Sequence, residues 1–203
     1  MKKFLAKNSL YFTTVVGVVI LIYLIVKWTD LEVMQRLVCF MFIAITAHEW
    51  EEKLFGFNEL NAQNLGVSAT EVSEGIGHFA LFFLTLYVGV VPLFFPNVVW
   101  LAATAMVLGI LELLSHLATI RMNRSKKISP AGLITAFTVL PILSIYGFYY
   151  LISNHLMHPI WWLYAFLNLF IPLIFAQVLS VKALGVNYRR FIKNAFSSIF
   201  GKA

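Results

Sequence analysis

Cysteine is almost missing from this chain of 203 residues: Cys39 is the single one, and it lies inside an apolar run. A lone thiol excludes disulfides and cysteine-rich metal sites and leaves a small buried side chain as the reading of that position. Charge is scarce too, at 12% of residues where an ordinary soluble domain carries roughly 25%. There is no Gly-rich phosphate loop, no low-complexity segment and no internal repeat, so one domain is the economical count. Regular alternation of polar and apolar residues is also lacking in stretches such as 15–26. That excludes an all-β membrane barrel, whose strands read as segments of ~10 alternating residues.

What the chain has instead is hydrophobic residues, 61% of the total, gathered into runs close to the ~20 residues a helix needs to cross a bilayer. The breaks between runs predict six spans, at about 9–28, 32–54, 70–94, 97–121, 131–153 and 159–182. Lys2, Lys3 and Lys7 before the first run imitate a secretory signal. The run is too long for one, no small-x-small site follows it, and Lys27, Trp28 and Asp30 flank it as an interface would, so it reads as an uncleaved first helix.

The net charge of +6 does not point to nucleic acid, because its distribution follows membrane topology. With the N-terminus in the cytoplasm, Lys2, Lys3, Lys7, Lys53, Arg121, Arg124, Lys126, Lys127, Lys182, Arg189, Arg190, Lys193 and Lys202 fall inside, and Lys27 and Arg36 outside. The positive-inside rule expects such a split, and an odd number of spans would ruin it. The expected fold is therefore all-α: a six-transmembrane-helix bundle over residues 1–185, both termini inside, in the cytoplasmic membrane of a bacterium. Residues 186–203 form an amphipathic cytoplasmic tail, with Tyr188, Phe191, Ile192, Ala195, Phe196 and Ile199 on one helical face and Arg189, Arg190, Lys193 and Asn194 on the other, which suits a helix lying on membrane lipids.

Ionisable groups inside a bilayer are costly, by at least ~2.5 kcal/mol each near its centre, so their placement asks for a reason. Glu49, Glu51, Glu52, Glu59, Glu71, Glu74 and Glu112, seven of the nine acidic residues, all fall toward the cytoplasmic side. In span two, His48, Glu51 and Glu52 share a helical face at i, i+3 and i+4 while Glu49 points elsewhere; Glu71, Glu74 and His78 share one in span three; Glu112 and His116 are one turn apart in span four. At the helical rise, Glu74, His48, His116, His78 and Glu112 lie about 6 to 13 Å inside the interface, in one layer.

Converging imidazoles and carboxylates suit a divalent metal: zinc for histidines with one carboxylate, or a di-iron or di-manganese centre for histidines with bridging glutamates. His48, Glu52, His78, Glu112 and His116 are the expected ligands, with Glu51 and Glu74 as catalytic base and support. The implied activity is hydrolase-like activation of water against a lipid or other amphipathic substrate. Proton or ion transport through the same cluster is the alternative, and a scaffold of buried His/Glu pairs a third. His155 and His158, beside Trp161 and Trp162, read as interfacial on the far side, and Pro92, Pro141 and Pro172 are expected to kink or unwind their spans.

The run His48-Glu49-Trp50-Glu51-Glu52 resembles the signature of the bacterial HXXEE domain family of multi-spanning membrane proteins. His116, the basic loop after it and Pro130-Ala131-Gly132-Leu133-Ile134-Thr135 resemble that family's later histidine and Pro-Gly motif, so the resemblance covers roughly residues 40–145. The chain departs from the family's aromatic-x-Pro-Gly run, having Ile128-Ser129-Pro130-Ala131-Gly132 with no aromatic and an alanine between proline and glycine. The resemblance implies metal-dependent membrane chemistry.

Overall fold

A computed structural model describes residues 2–57, 71–122, 132–183 and 185–200, leaving out the side chains of residues 2–7, 71–79, 122, 183, 195 and 198–200. The described residues form helices α1 (Lys2–Val26), α2 (Val33–Leu54), α3 (Glu71–Phe94), α4 (Val99–Met122), α5 (Leu133–Phe137), α6 (Val139–Ser153), α7 (Pro159–Ala183) and α8 (Tyr188–Phe200), with no strand among them. Helices thus lie within a few residues of the expected segments, except that α1 starts earlier and the fifth segment is divided into α5 and α6.

Local chemistry explains the ends. Between α1 and α2, Lys27 Nζ donates to Asp30 Oδ2 at 3.1 Å, an ion pair that holds the Asp30 carboxyl below its ordinary value. Glu32 and Gln35 then cap α2 reciprocally, the Gln35 side chain accepting from the Glu32 backbone N–H at 3.0 Å. The division of the fifth span follows from Pro141: it has no N–H for the carbonyl four residues back, that of Phe137, and its ring crowds the same carbonyl. α5 ends at Phe137 and Thr138 leaves helical geometry at φ −119, ψ −79. Pro92 and Pro172, by contrast, lie inside α3 and α7 without dividing them.

α2 is the hub of the bundle, packed against α1, α3, α4, α5 and α6. Antiparallel neighbours are evident from contacts at both ends: Trp50 Nε1 of α2 donates to Thr14 Oγ1 of α1 at 2.8 Å, while Trp28 at the other end of α1 meets Phe40. α2 and α4 run in the same direction, and α6 returns between them, with Gly147 against Met106 and Leu37. Leu37, Val38, Met41, Met106, Leu140 and Leu151 are buried where these helices meet.

Among the described residues, four helical stretches are long and apolar enough to cross a membrane: Asn8–Val26, Val99–Arg121, Leu133–Ser153 and Pro159–Lys182. Ala80–Phe94 is apolar but shorter over the described residues. The outward faces of the long helices carry exposed Val15, Ile22, Ile142, Ile145, Ile171 and Phe175. An apolar exterior of this kind is the surface of a protein solvated by lipid rather than water.

Candidate metal centre

α2 and α4 each bring a histidine and a glutamate, one turn apart, to the same end of the bundle: His48 with Glu52, and Glu112 with His116. One donor atom from each of the four lies within 4.8 Å of all the others. Three of these atoms make a nearly equilateral triangle. His48 Nε2 is 3.3 Å from His116 Nε2 and 3.4 Å from Glu52 Oε1, and His116 Nε2 is 3.2 Å from Glu52 Oε1. Glu112 Oε2 stands 3.6 Å from His48 Nε2 as a fourth corner.

These separations can be compared with what an ion requires. Bonds of about 2.0–2.1 Å at tetrahedral angles put neighbouring ligand atoms about 3.3 Å apart. The triangle of His48, Glu52 and His116 has that size, so the residues present fit a divalent cation. Exposure is graded around it: the imidazole side chains are 3% and 1% exposed, Glu52 18% and Glu112 27%. The cluster is closed behind the histidines and open beside Glu112.

α5 forms the closed wall. Gly132, at φ +73, has its α-carbon so near both imidazoles that an added Cβ would lie 2.5 Å from His116 Cε1 and 2.8 Å from His48 Cε1. Only a residue without a side chain both adopts this backbone geometry readily and leaves room for the rings. Phe57 covers His116 from the other side, with ring centroids 4.8 Å apart. α5 is held to α2 by Glu51, whose Oε1 accepts from Ile134 N at 2.7 Å and whose Oε2 accepts from Thr135 N at 3.0 Å and Thr135 Oγ1 at 2.7 Å. The Thr135 hydroxyl is also hydrogen-bonded to His48 Nδ1, at 2.8 Å.

Of the residues expected from sequence, His48, Glu52, Glu112 and His116 are thus brought together. Glu51 shares their end of the bundle but turns to α5, both oxygens engaged. Glu49 points elsewhere, as its position on the helix predicted, and accepts from Thr85 of α3 at 2.8 Å. The side chains of Glu71, Glu74 and His78 lie outside the described residues, as do Glu59 and the basic residues Arg124, Lys126 and Lys127. His155 and His158 follow α6 at the opposite end, exposed, with His158 6.3 Å from the Trp161 ring. Gly132 and Thr135 had no individual role in the sequence reading. The signal available was a glycine followed by a threonine three residues on, at the start of a short helix after a basic loop.

No protein-family model, curated protein or solved structure matches this chain.

Proposed function

We propose that the chain is a membrane-embedded metalloprotein, a six-span bundle of the cytoplasmic membrane with both termini inside, that activates water against a lipid or other amphipathic substrate. The observation that carries this reading is the triangle of His48 Nε2, Glu52 Oε1 and His116 Nε2, whose 3.2–3.4 Å edges match the ligand spacing of one tetrahedral ion. Three donors at the spacing of one ion favour a single zinc-like ion over a di-iron or di-manganese pair, whose metals sit about 3.5–4 Å apart and need ligands around each. Two imidazoles and one carboxylate with a further position free are the donor set of hydrolytic zinc sites.

The ion, when bound, supplies Lewis-acid activation of water. Glu112, the most exposed of the four, is assigned the general base: its Oε2 sits at the open side, where it takes the proton of the attacking water. Glu51 has no free oxygen for that task and acts on the site by positioning. His78 and Glu74 enter the proposal from sequence alone, as a further ligand and a supporting carboxylate from α3. The substrate class follows from placement, since a site opening near the end of an apolar bundle meets amphipathic molecules first. Membership of the HXXEE family belongs to the same proposal, His48, Glu51 and Glu52 being the residues of that signature.

Elemental analysis of detergent-purified protein is expected to give near-stoichiometric zinc or a similar metal, lost in His48→Ala and in His116→Ala. Full occupancy in both variants overturns the site. Glu112→Gln is expected to keep the metal and to lower lipid hydrolysis by at least about 100-fold, the usual contribution of a general base.

One observation favours ion or proton transport as a second reading. Polar pairs lie along α3 beside the site: Thr85 with Glu49, and separately Tyr87 with Asn168, which reaches Thr104 at 3.1 Å. Gradient-driven flux into proteoliposomes, abolished by Asn168→Leu with metal content unchanged, selects that reading over hydrolysis.

A further inference from the structure

The hydrogen bonds behind His48 form a chain whose directions are fixed at one end. The backbone N–H groups of Ile134 and Thr135 can only donate, so both Glu51 oxygens act as acceptors toward α5. The Thr135 hydroxyl has a single hydrogen, and it goes to Glu51 Oε2 at 2.7 Å. What remains on Thr135 Oγ1 is a lone pair, which faces His48 Nδ1 at 2.8 Å. That contact is a hydrogen bond only if Nδ1 carries the hydrogen. The neutral imidazole then has none on Nε2, the atom that looks into the cluster.

We infer that Glu51 and Thr135 are positioning residues that hold His48 in its Nδ1–H tautomer, with a bare Nε2 lone pair turned to a divalent cation. The inference rests on the metal reading given above and deepens it. A bare Nε2 beside Glu52 Oε1 at 3.4 Å and Glu112 Oε2 at 3.6 Å sets a lone pair against two carboxylates with no hydrogen to offer either. Nε2 is thus the one nitrogen of His48 left to take a cation, with His116 Nε2 3.3 Å away and able to donate to it when no ion is bound. The fixed chain therefore presets His48 as an Nε2 ligand before any ion arrives. It also explains why α5, only five residues long, docks where it does: three hydrogen bonds from its first turn hold Glu51, and its threonine reaches the ligand.

Residues behind a metal-bound histidine typically change affinity by roughly 10–100-fold when removed. Zinc affinity of the protein in detergent, measured by competition with a chromophoric chelator, is expected to fall by that factor in Thr135→Val and to be restored in Thr135→Ser, which keeps the hydroxyl. A direct readout needs no variant at the chain itself: nitrogen-15 NMR of histidine-labelled, zinc-loaded protein, with His48 assigned by the loss of its signal in His48→Gln, should show a protonated Nδ1. Retention of wild-type affinity in Thr135→Val, or a His48 protonated on Nε2, overturns the inference while leaving the metal site intact. A wild-type protein that takes up no zinc overturns the metal reading, and this inference with it.

Discussion

Gly132 illustrates how much one residue without a side chain decides. Two separate costs attach to replacing it: its φ of +73, which costs an L-residue about 1–2 kcal/mol, and the space filled by His48 and His116. Gly185 separates them, because it has nearly the same φ of +72 but nothing among the described residues within 4 Å of an added Cβ. Gly185→Ala is expected to lower stability by about 1–2 kcal/mol, the backbone cost alone, and to keep its metal. Gly132→Ala should pay the backbone cost and lose metal affinity by at least roughly tenfold, since the imidazoles must move. Thermal unfolding and metal content of the two variants check this, and equal metal retention would remove Gly132 from the site. At the same scale, spacing made His48 with Glu52 and Glu112 with His116 readable as pairs. It did not foretell that Glu51 would part from Glu52: the two are separated by ~100° on the helix, and whichever element lies on each side claims the nearer carboxylate, here α4 for Glu52 and α5 for Glu51.

Among the helices, small residues set how closely neighbours approach. An added Cβ at Gly109 would run into the Ser144 hydroxyl and stand 3.1 Å from the Leu140 carbonyl, so α4 and α6 touch nearly backbone to backbone, as helices in lipid tend to do. Ser144 Oγ is fully buried with no hydrogen-bond partner among the described residues. Removing a hydroxyl in that state relieves a desolvation cost, so Ser144→Ala is expected to stabilise the protein by about 1 kcal/mol. Gly109→Ala should destabilise it by about 1–3 kcal/mol through overpacking, and by less in the Ser144→Ala background, where the crowded oxygen is gone. Melting curves in detergent measure all three; destabilisation by Ser144→Ala would show that the hydroxyl has a partner. The divided fifth span was half legible at this scale. Pro141 announced a disruption, but proline also stands inside the unbroken α7, and sequence does not say which proline a neighbouring helix will straighten or exploit.

At the scale of the whole molecule, the exterior is apolar and the polar chemistry is gathered at one end, the reverse of a soluble enzyme. α2 shows why sequence alone over-counts or under-counts spans. Its polar end, with His48, Glu49, Glu51, Glu52 and Lys53, keeps it out of the set of helices apolar enough to face lipid, yet it occupies the centre of the bundle, where five neighbours shield it. The proposed orientation predicts which residues meet which compartment. Cys39 is fully buried, so the native chain gives a silent background for cysteine labelling. A membrane-impermeant maleimide applied to intact cells is expected to label Ser153→Cys, exposed at the end of α6, and to reach Ser197→Cys, exposed on α8, only after permeabilisation. The opposite pattern would invert the topology, and labelling of both from outside would break the even count of spans.

The sequence by itself determined the solvent and the elements: long apolar runs leave a chain few ways to satisfy its backbone except as helices in lipid, and one-turn spacing puts His48 with Glu52, and Glu112 with His116, on common faces. Tertiary structure alone decided that α2 and α4 set those faces against each other with donor atoms 3.2–3.6 Å apart. It also decided that α5 stands behind them, spending Glu51 on its own first turn. Helical periodicity fixes direction around an axis, but distance between axes is set by how side chains such as Met41 and Leu140 and glycines such as Gly109 and Gly132 pack, and ligand geometry is sensitive to tenths of an ångström that only packing supplies.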